Sequence, residues 1–548
     1  MSEPASEPMS VRRILGNGPF AEIGEPTVAV RCEERGLVAV GGDLGRLSWP
    51  GRSVSGWGGR RLAVYGTGEA DCRLLVRTDR PVNALAFHPH LPLLAAGTGE
   101  YDGGYLFEGE LLLVDLTDGS VVSALEHGPE VRRVRWREDG RALELVVSPF
   151  DEEAAEQPFT HGFAAVVERE DWRAVTDRSI PAGEITGPQV EAGTRPDGAE
   201  DDAREMLTGL AEAQDTYWFP RRQVWAVEAL ADGRVLAALE GTKLESWLPS
   251  GELEWRLLDR DGARQLSVCP GEESVWVNMA GRPAWTAGYG WRDVPGQVER
   301  ISLVDADTLD TADIDFPAAL TGDLDGRIAL RDTRHGDRSG PTVLLTPEHR
   351  EHGRVAVGNY DTVNHYFPVR HSPELLFLQG GKKKHWEDKW VVAVDPRDDA
   401  DRLRVRRLFP LEWDSARRHH LFGGPAVRLT GEGGEALVHA GEDHDNHIRR
   451  QQRAFIVRRS FPDGAPQWIF TADHPVTALD TDGVTVFAAF LSGEVMALDA
   501  ADGTVRRRTR LEVDGTPTVA LSLTVAGPDR LVLGTVDGRI LVTGTTAG

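Results

Sequence analysis

The stretch VNALAFHPHLPLLAAGTGEYDGGYLFEGELLLVDLTDGSVVSALEH, Val82–His127, contains four short runs written for strands: Val82–Phe87, Leu93–Gly97, Glu110–Leu116 and Val121–Leu125. The third ends in Val-Asp-Leu-Thr-Asp-Gly-Ser (Val114–Ser120), where Asp and Gly tolerate the positive φ of a tight hairpin turn. That ending returns at Val304–Asp310, Val394–Ala400 and Leu498–Thr504, with looser copies at Leu248–Glu252 and Phe461–Ala465. A four-strand unit recurring about every 45 residues is the mark of a β-propeller, in which each blade buries its faces against its neighbours.

Outward from that stretch, ten units begin near Thr27, Val82, Val131, Val224, Arg264, Pro317, Asn364, Gly424, Pro475 and Pro517. Nine offer four candidate strands, those at Arg264 and Pro317 loosely. The tenth has only Ala520–Val525, Arg530–Gly534 and Arg539–Thr543. Val11–Leu15 is a spare strand with no blade of its own, so it is expected to complete the last blade and close a ring, removing an open edge. The fold class is all-β, a propeller of about ten four-stranded blades. Two packed propellers are expected over one large ring, and a ring of seven or eight with insertions also stays open. Between Ile180 and Tyr217 the alternation stops. Ile180–Gly198 reads as a loop, and Glu200–Gln214 as a short helix with acids at its start and an apolar stripe of Ala203, Met206, Leu207, Leu210 and Ala211. The expected organisation is a leader with the closing strand (1–26), blades one to three (27–179), an acidic loop and helix (180–222) and blades four to ten (223–548).

Composition narrows the function classes. A net charge of −26 argues against general affinity for nucleic acid or for an anionic membrane surface. Three scattered cysteines make no disulfide framework, the N-terminus lacks an apolar signal core, and no window approaches the run of about 18 apolar residues that a membrane span needs. A cytoplasmic protein is expected. The excess of Arg over Lys is that of high-GC bacterial coding.

Phe87-His-Pro through Asp115, and Ala497-Leu-Asp-Ala-Ala-Asp-Gly, resemble the repeats of WD40-type and pyrroloquinoline-quinone-type propellers. Gly-His dipeptides are absent, and Trp-Asp occurs once, at Trp413-Asp414. The resemblance implies a protein-binding scaffold, of the kind that bacterial WD40-like propellers supply to signalling or defence assemblies. Its enzymatic branch, the quinoprotein dehydrogenases, is generally exported, binds calcium and often carries an adjacent cysteine pair, features not visible here.

The long connections mark a working face. Gly41–Gly59, Thr98–Gly109, Ser148–Gly162, Ala280–Gln297, Gly380–Lys389 and Gly441–Arg453 join second to third strands, which places them on one face. Their Tyr101, Tyr105, Phe107, Trp285, Tyr289 and Trp291 are interface-type anchors, or else caps over the blades. Of 61 Lys and Arg only five are Lys, and four of these sit together as Lys382, Lys383, Lys384 and Lys389. With His385 and Trp386 they suit an anionic partner, or form a solvated hairpin tip. His439, His444, Asp445 and His447 are weak metal candidates that match no zinc spacing, so a polar turn is expected. No nucleophile elbow, phosphate loop or His-Glu-x-x-His is present. The expectation is a non-catalytic scaffold with a protein partner and no cofactor. The alternatives are a sensor of an anionic ligand through the lysine loop, or a quinoprotein-like enzyme.

Overall fold

Leu93–Tyr101 pairs with Phe107–Asp115 in unbroken register, from Leu93↔Asp115 to Tyr101↔Phe107. The hairpin can stay tight because Gly109 sits where a Cβ would come within 2.2 Å of the Thr98 carbonyl oxygen. It is the middle of a four-stranded antiparallel blade, and the computed structural model repeats that blade along the chain. The structure describes residues 9–45, 47–49, 52–53, 59–279, 284–286, 290–292, 295–348, 350–362, 364–400, 402–413, 420–430, 434–444, 453–527 and 530–544. Among them, ten blade sheets follow one another at 25–78, 82–123, 131–191, 224–258, 265–313, 318–355, 375–410, 420–472, 476–510 and 520–544. The fold is a β-propeller. Nine blades start within four residues of where the apolar alternation places them, the seventh sheet begins at Leu375 rather than near Asn364, and the two loose units are complete four-stranded sheets.

The blades divide between two compact units, one of residues 1–16, 47–55 and 222–548, the other of 17–46 and 56–221. In the first, seven blades form a closed series, because the inner strands Val224–Ala229 and Ala520–Gly527 pack on each other. Closure is completed by the N-terminus. Ser10–Leu15 pairs antiparallel with Ile540–Gly544, Val11 opposite Thr543 and Leu15 opposite Ile540, as the outermost strand of the tenth blade. The orphan strand and the incomplete blade are partners, as expected from the sequence.

Hydroxyls stitch blade to blade in the ring. Thr477 Oγ1 donates to the Ala520 carbonyl at 2.6 Å, and Ser522 Oγ to the Val224 carbonyl at 2.9 Å. The other unit repeats the device with Thr27 Oγ1 on the Val82 carbonyl at 3.1 Å. A bulge interrupts the inner strand after its first or second residue in six blades, between 26 and 28, 82 and 84, 131 and 133, 224 and 226, 476 and 478, and 520 and 522. The extra residue leaves the ladder there, and the local twist rises.

The second unit holds three blades and the helix Ala199–Glu212. The helix buries Ala203, Leu207, Leu210 and Ala211 in one cluster with Phe20, Ile23, Val40 and Tyr65, and keeps Glu200, Asp201 and Asp202 in its first turn, where the dipole favours them. Among the described residues no helix is long and apolar enough to cross a membrane.

Three features differ from the sequence expectation. The 180–198 stretch is not loop throughout: Gln189–Glu191 pairs with His161–Phe163 and is the fourth strand of the third blade. Three residues are too few to show a period of two. In the seventh blade the sheet is three-stranded, and the short strand Val369–Arg370 pairs in parallel with Ala426–Val427 of the eighth. Pro368 offers no N–H there, and His371 sits at φ 58°, which ends the strand. Finally, much of the long connections is strand. Leu37–Asp43, Leu93–Tyr101 and Ala436–His444 all run on into them, and Ala284–Thr286 pairs with Gly290–Arg292 as a small ribbon. Backbone groups that would otherwise go unpaired continue the ladder.

Candidate functional site

The hairpin tip of the second blade builds a ledge of aromatic rings. Asp102 Oδ1 accepts the N–H groups of Gly104, Tyr105 and Leu106 at 2.6, 2.9 and 3.0 Å, which fixes the turn and holds the Asp102 carboxyl below its usual range. The tip is then bolted to the loop of the third blade. Phe107 N–H donates to the Phe150 carbonyl and Glu152 N–H to the Tyr105 carbonyl, both at 2.9 Å. Tyr101, Phe107 and Phe159 form a triangle with ring centroids 4.9 to 5.1 Å apart. The Tyr101 hydroxyl donates to Glu152 at 2.6 Å, a bond that pushes its pKa up to about 12.

Beneath the ledge lies Arg132, fully buried. It bonds Glu130 at 2.8 Å and the carbonyls of Pro158, His161 and Ala192 at 2.7 to 2.9 Å, with its guanidinium 5.4 Å from the Phe107 ring centroid. Phe107 is enclosed and so supports the ledge rather than presenting surface. Tyr101 is half-buried. The exposed rings are Tyr105, Phe150 and Phe159, at 62%, 47% and 54%. Exposed Asp102, Glu153 and Glu156 flank them in sequence. Phe150 and Phe159 were not singled out in the sequence, although their connection was. Their signal was two aromatics at the ends of an otherwise polar loop.

In the ring of seven, the inner strands line a central channel of about 290 Å³. One polar cluster crosses it. Arg370 makes paired bonds to Glu228 at 2.8 and 2.7 Å, reaches Thr524 Oγ1 at 3.1 Å and has its Nε 3.5 Å from Asp480. His371 Nε2 is 2.6 Å from Asp480 Oδ1, and Asp480 Oδ2 accepts the Val525 N–H at 2.9 Å. Burial pushes the Asp480 carboxyl up, but Arg370 and then His371 outweigh it and bring it down to about 2. The cluster ties together the fourth, eighth, ninth and tenth blades, and Arg370 and Asp480 spend their bonds on one another and on Glu228.

The lysine loop divides. Lys382 and Lys383 are exposed, while Lys384 pairs with Glu387 at 2.9 Å. Lys389 is buried with its Nζ on the Trp386 carbonyl at 2.6 Å, and burial lowers its pKa to about 8. His385 is buried too, its ring 4.8 Å from both His335 and Trp386, and Trp386 is part-exposed. Of the four clustered lysines only Lys389 is taken into the fold, while Lys382, Lys383 and Lys384 all stay exposed, Lys384 beside Glu387.

Of the weak metal candidates, His439 lies fully buried between the rings of Phe367 and Phe455, and burial, helped by Arg459, lowers its pKa to about 3. Asp445 and His447 lie outside the described residues, as does Tyr289. His444, Trp285 and Trp291 are placed by their backbones alone, Trp285 opposite Trp291 in the ribbon and His444 at the end of its strand. Among the described residues no cluster of three or more His, Cys, Asp or Glu side chains is placed to hold a metal ion.

No family model matches the chain, and no curated protein matches it. Among solved structures, a chain of a "Crystal Structure of Mitotic Checkpoint Complex" is similar over 59% of this chain and 91% of its own, at 12% identity and a TM-score of 0.42. The propeller assignment rests on the sheets themselves.

Proposed function

We propose that this protein is a non-catalytic binding scaffold whose partner docks on the aromatic ledge of the second and third blades. The observation that carries the reading is three exposed rings, Tyr105, Phe150 and Phe159, held on two hairpins that are cross-bonded through their backbones. Rigid, exposed aromatics over a packed base are what interface hot spots are made of, because little conformational entropy is lost when they are covered. The flanking carboxylates favour a partner segment that carries Arg or Lys beside an apolar side chain, since a guanidinium can stack on a ring face and pair with Asp102 or Glu153. The channel cluster supports no second reading, because its central charges are matched internally.

A photo-crosslinking residue at position 105, in the full chain expressed in its host, tests this. A small set of proteins should be captured, and Phe150→Ser with Phe159→Ser should reduce that capture at least tenfold in a chain that still melts cooperatively. Capture that follows protein abundance and ignores both substitutions overturns the proposal.

A further inference from the structure

Two long connections of the seven-bladed unit meet through a pair of imidazoles. His335 stands between Ile328–Asp332 and Thr342–Leu345 of the sixth blade, and His385 between Leu375–Gln379 and Trp390–Val394 of the seventh. Their Nε2 atoms are 3.3 Å apart, and the rings meet edge to face at 4.8 Å between centroids. Gly336 takes a φ of 68° beside them, and a Cβ there would lie 3.6 Å from His385 Cε1, so the loop backbone runs close along that ring. His335 is half-exposed, with its Nδ1 3.9 Å from Asp361 Oδ1, whereas His385 is buried.

A hydrogen bond between two imidazole nitrogens needs one N–H and one bare lone pair. The pair keeps its bond when neutral or when one ring is charged. It loses the bond when both are charged, because both Nε2 atoms then carry protons. Two imidazoliums in contact also repel, and burial leaves that repulsion poorly screened. The surrounding groups decide which ring charges last. Asp361, on the Nδ1 side of His335, suits the first charge. Burial, and then His335, hold His385 below the ordinary imidazole range, against the opposing pull of Asp361 and Asp337. The hairpin's own Lys384 and Glu387 pair with each other. His365, the third imidazole, is fixed as a neutral ring. Its Nδ1 accepts the Asp361 N–H at 3.2 Å and its Nε2 donates to the His385 carbonyl at 2.9 Å. Burial holds it well below the ordinary range, with Arg331 and Lys389 adding to the effect. The His365 bond, Lys389 Nζ on the Trp386 carbonyl and the Gly381 N–H on the Glu387 carbonyl hold the hairpin independently of the pair.

We infer that the His335–His385 bond is a proton-operated latch, closed at neutral pH, which releases the 334–340 loop from the seventh-blade hairpin when both rings are charged. The sign follows from His385. Its folded pKa lies below the roughly 6.5 of a solvated imidazole, to which it returns when the loop parts. The parted state therefore takes up the proton first as pH falls, and acid favours it. Hydrogen exchange of the full chain, corrected for intrinsic rates, reads the latch at residues 334–340, where the Gly336 N–H bonds the Tyr360 carbonyl at 2.8 Å. Opening there should increase by up to about tenfold for each pH unit below about 6.5, while residues 380–390 change little. His335→Gln takes away the second charge, and its side-chain amide can donate to a neutral His385 or accept from a charged one. Position 335 is half-exposed and tolerates the change, so this variant should keep the loop protected in acid. Unchanged opening of the native loop down to about pH 5, or the same acid response in the Gln variant, overturns the inference.

Discussion

Removing the closing strand should open the seven-bladed ring. The perturbation is deletion of residues 1–16, which takes Met9 and the strand Ser10–Leu15 from the edge of the tenth blade. Leu15, 2% exposed, packs with Val224, Val532 and Ile540, while Met9 lies in the cluster of Ala520, Leu531 and Leu541. Fully burying side chains of this kind contributes about 1.5–3 kcal/mol each, so the pair is worth about 3–6 kcal/mol as an upper estimate. Deletion also leaves Ile540–Gly544 as an unpaired edge. Against a typical domain stability of about 5–15 kcal/mol, that loss is a large fraction. Hydrogen exchange read at Ile540–Gly544 isolates this unit from the other, which a global melting curve does not. The amides there should lose protection on deletion, Leu15→Ala alone should cost about 2–5 kcal/mol, and a peptide of residues 8–16 added in trans should restore protection with dose. Unchanged exchange in the deletion variant would refute the reasoning.

Arg132→Met should lower the stability of the three-bladed unit by about 3–5 kcal/mol in urea denaturation, because Glu130 is left buried without its cation; a loss under about 1 kcal/mol counts against a pinning role for Arg132. His439 has a folded pKa depressed to about 3, below the roughly 6.5 of an unfolded His, so the unfolded chain takes up the proton first as pH falls. Its stability cost is therefore absent above about pH 6.5, grows as pH drops toward 3, and should be removed by His439→Leu, which flattens that part of the stability–pH curve; a parallel curve in the variant rules this out. Lys382→Glu with Lys383→Glu should shift stability by no more than about 0.5 kcal/mol and leave partner capture on the ledge intact, both being read in one thermal and one binding titration.

The parts of the fold that rest on local chemistry were legible in the chain. Alternating apolar runs and Asp-Gly turns marked the blade starts, and the orphan run Val11–Leu15 pointed to its partner more than 500 residues away, because one blade lacked a strand. What long-range packing decides was not legible. The strand Gln189–Glu191 is set by pairing with His161–Phe163, across a gap of turns, and has no pattern of its own. Arg132 reads as one more arginine until its carbonyl partner at Ala192 is known. The ledge was half visible: its hairpin was named from Tyr101, Tyr105 and Phe107, but which rings face outward depends on how two blades meet, and two of the exposed three come from the neighbouring connection. The lysine cluster misled in the opposite sense, since sequence shows four charges together and only the fold shows that Lys389 is buried on the Trp386 carbonyl.

The central claim is that a protein partner covers the aromatic ledge. Hydrogen exchange of the full chain with and without a partner captured through position 105 tests it most directly. The account predicts new protection confined to residues 101–107 and 148–160, with none at 380–390. Protection in the lysine hairpin with the ledge unchanged would contradict it.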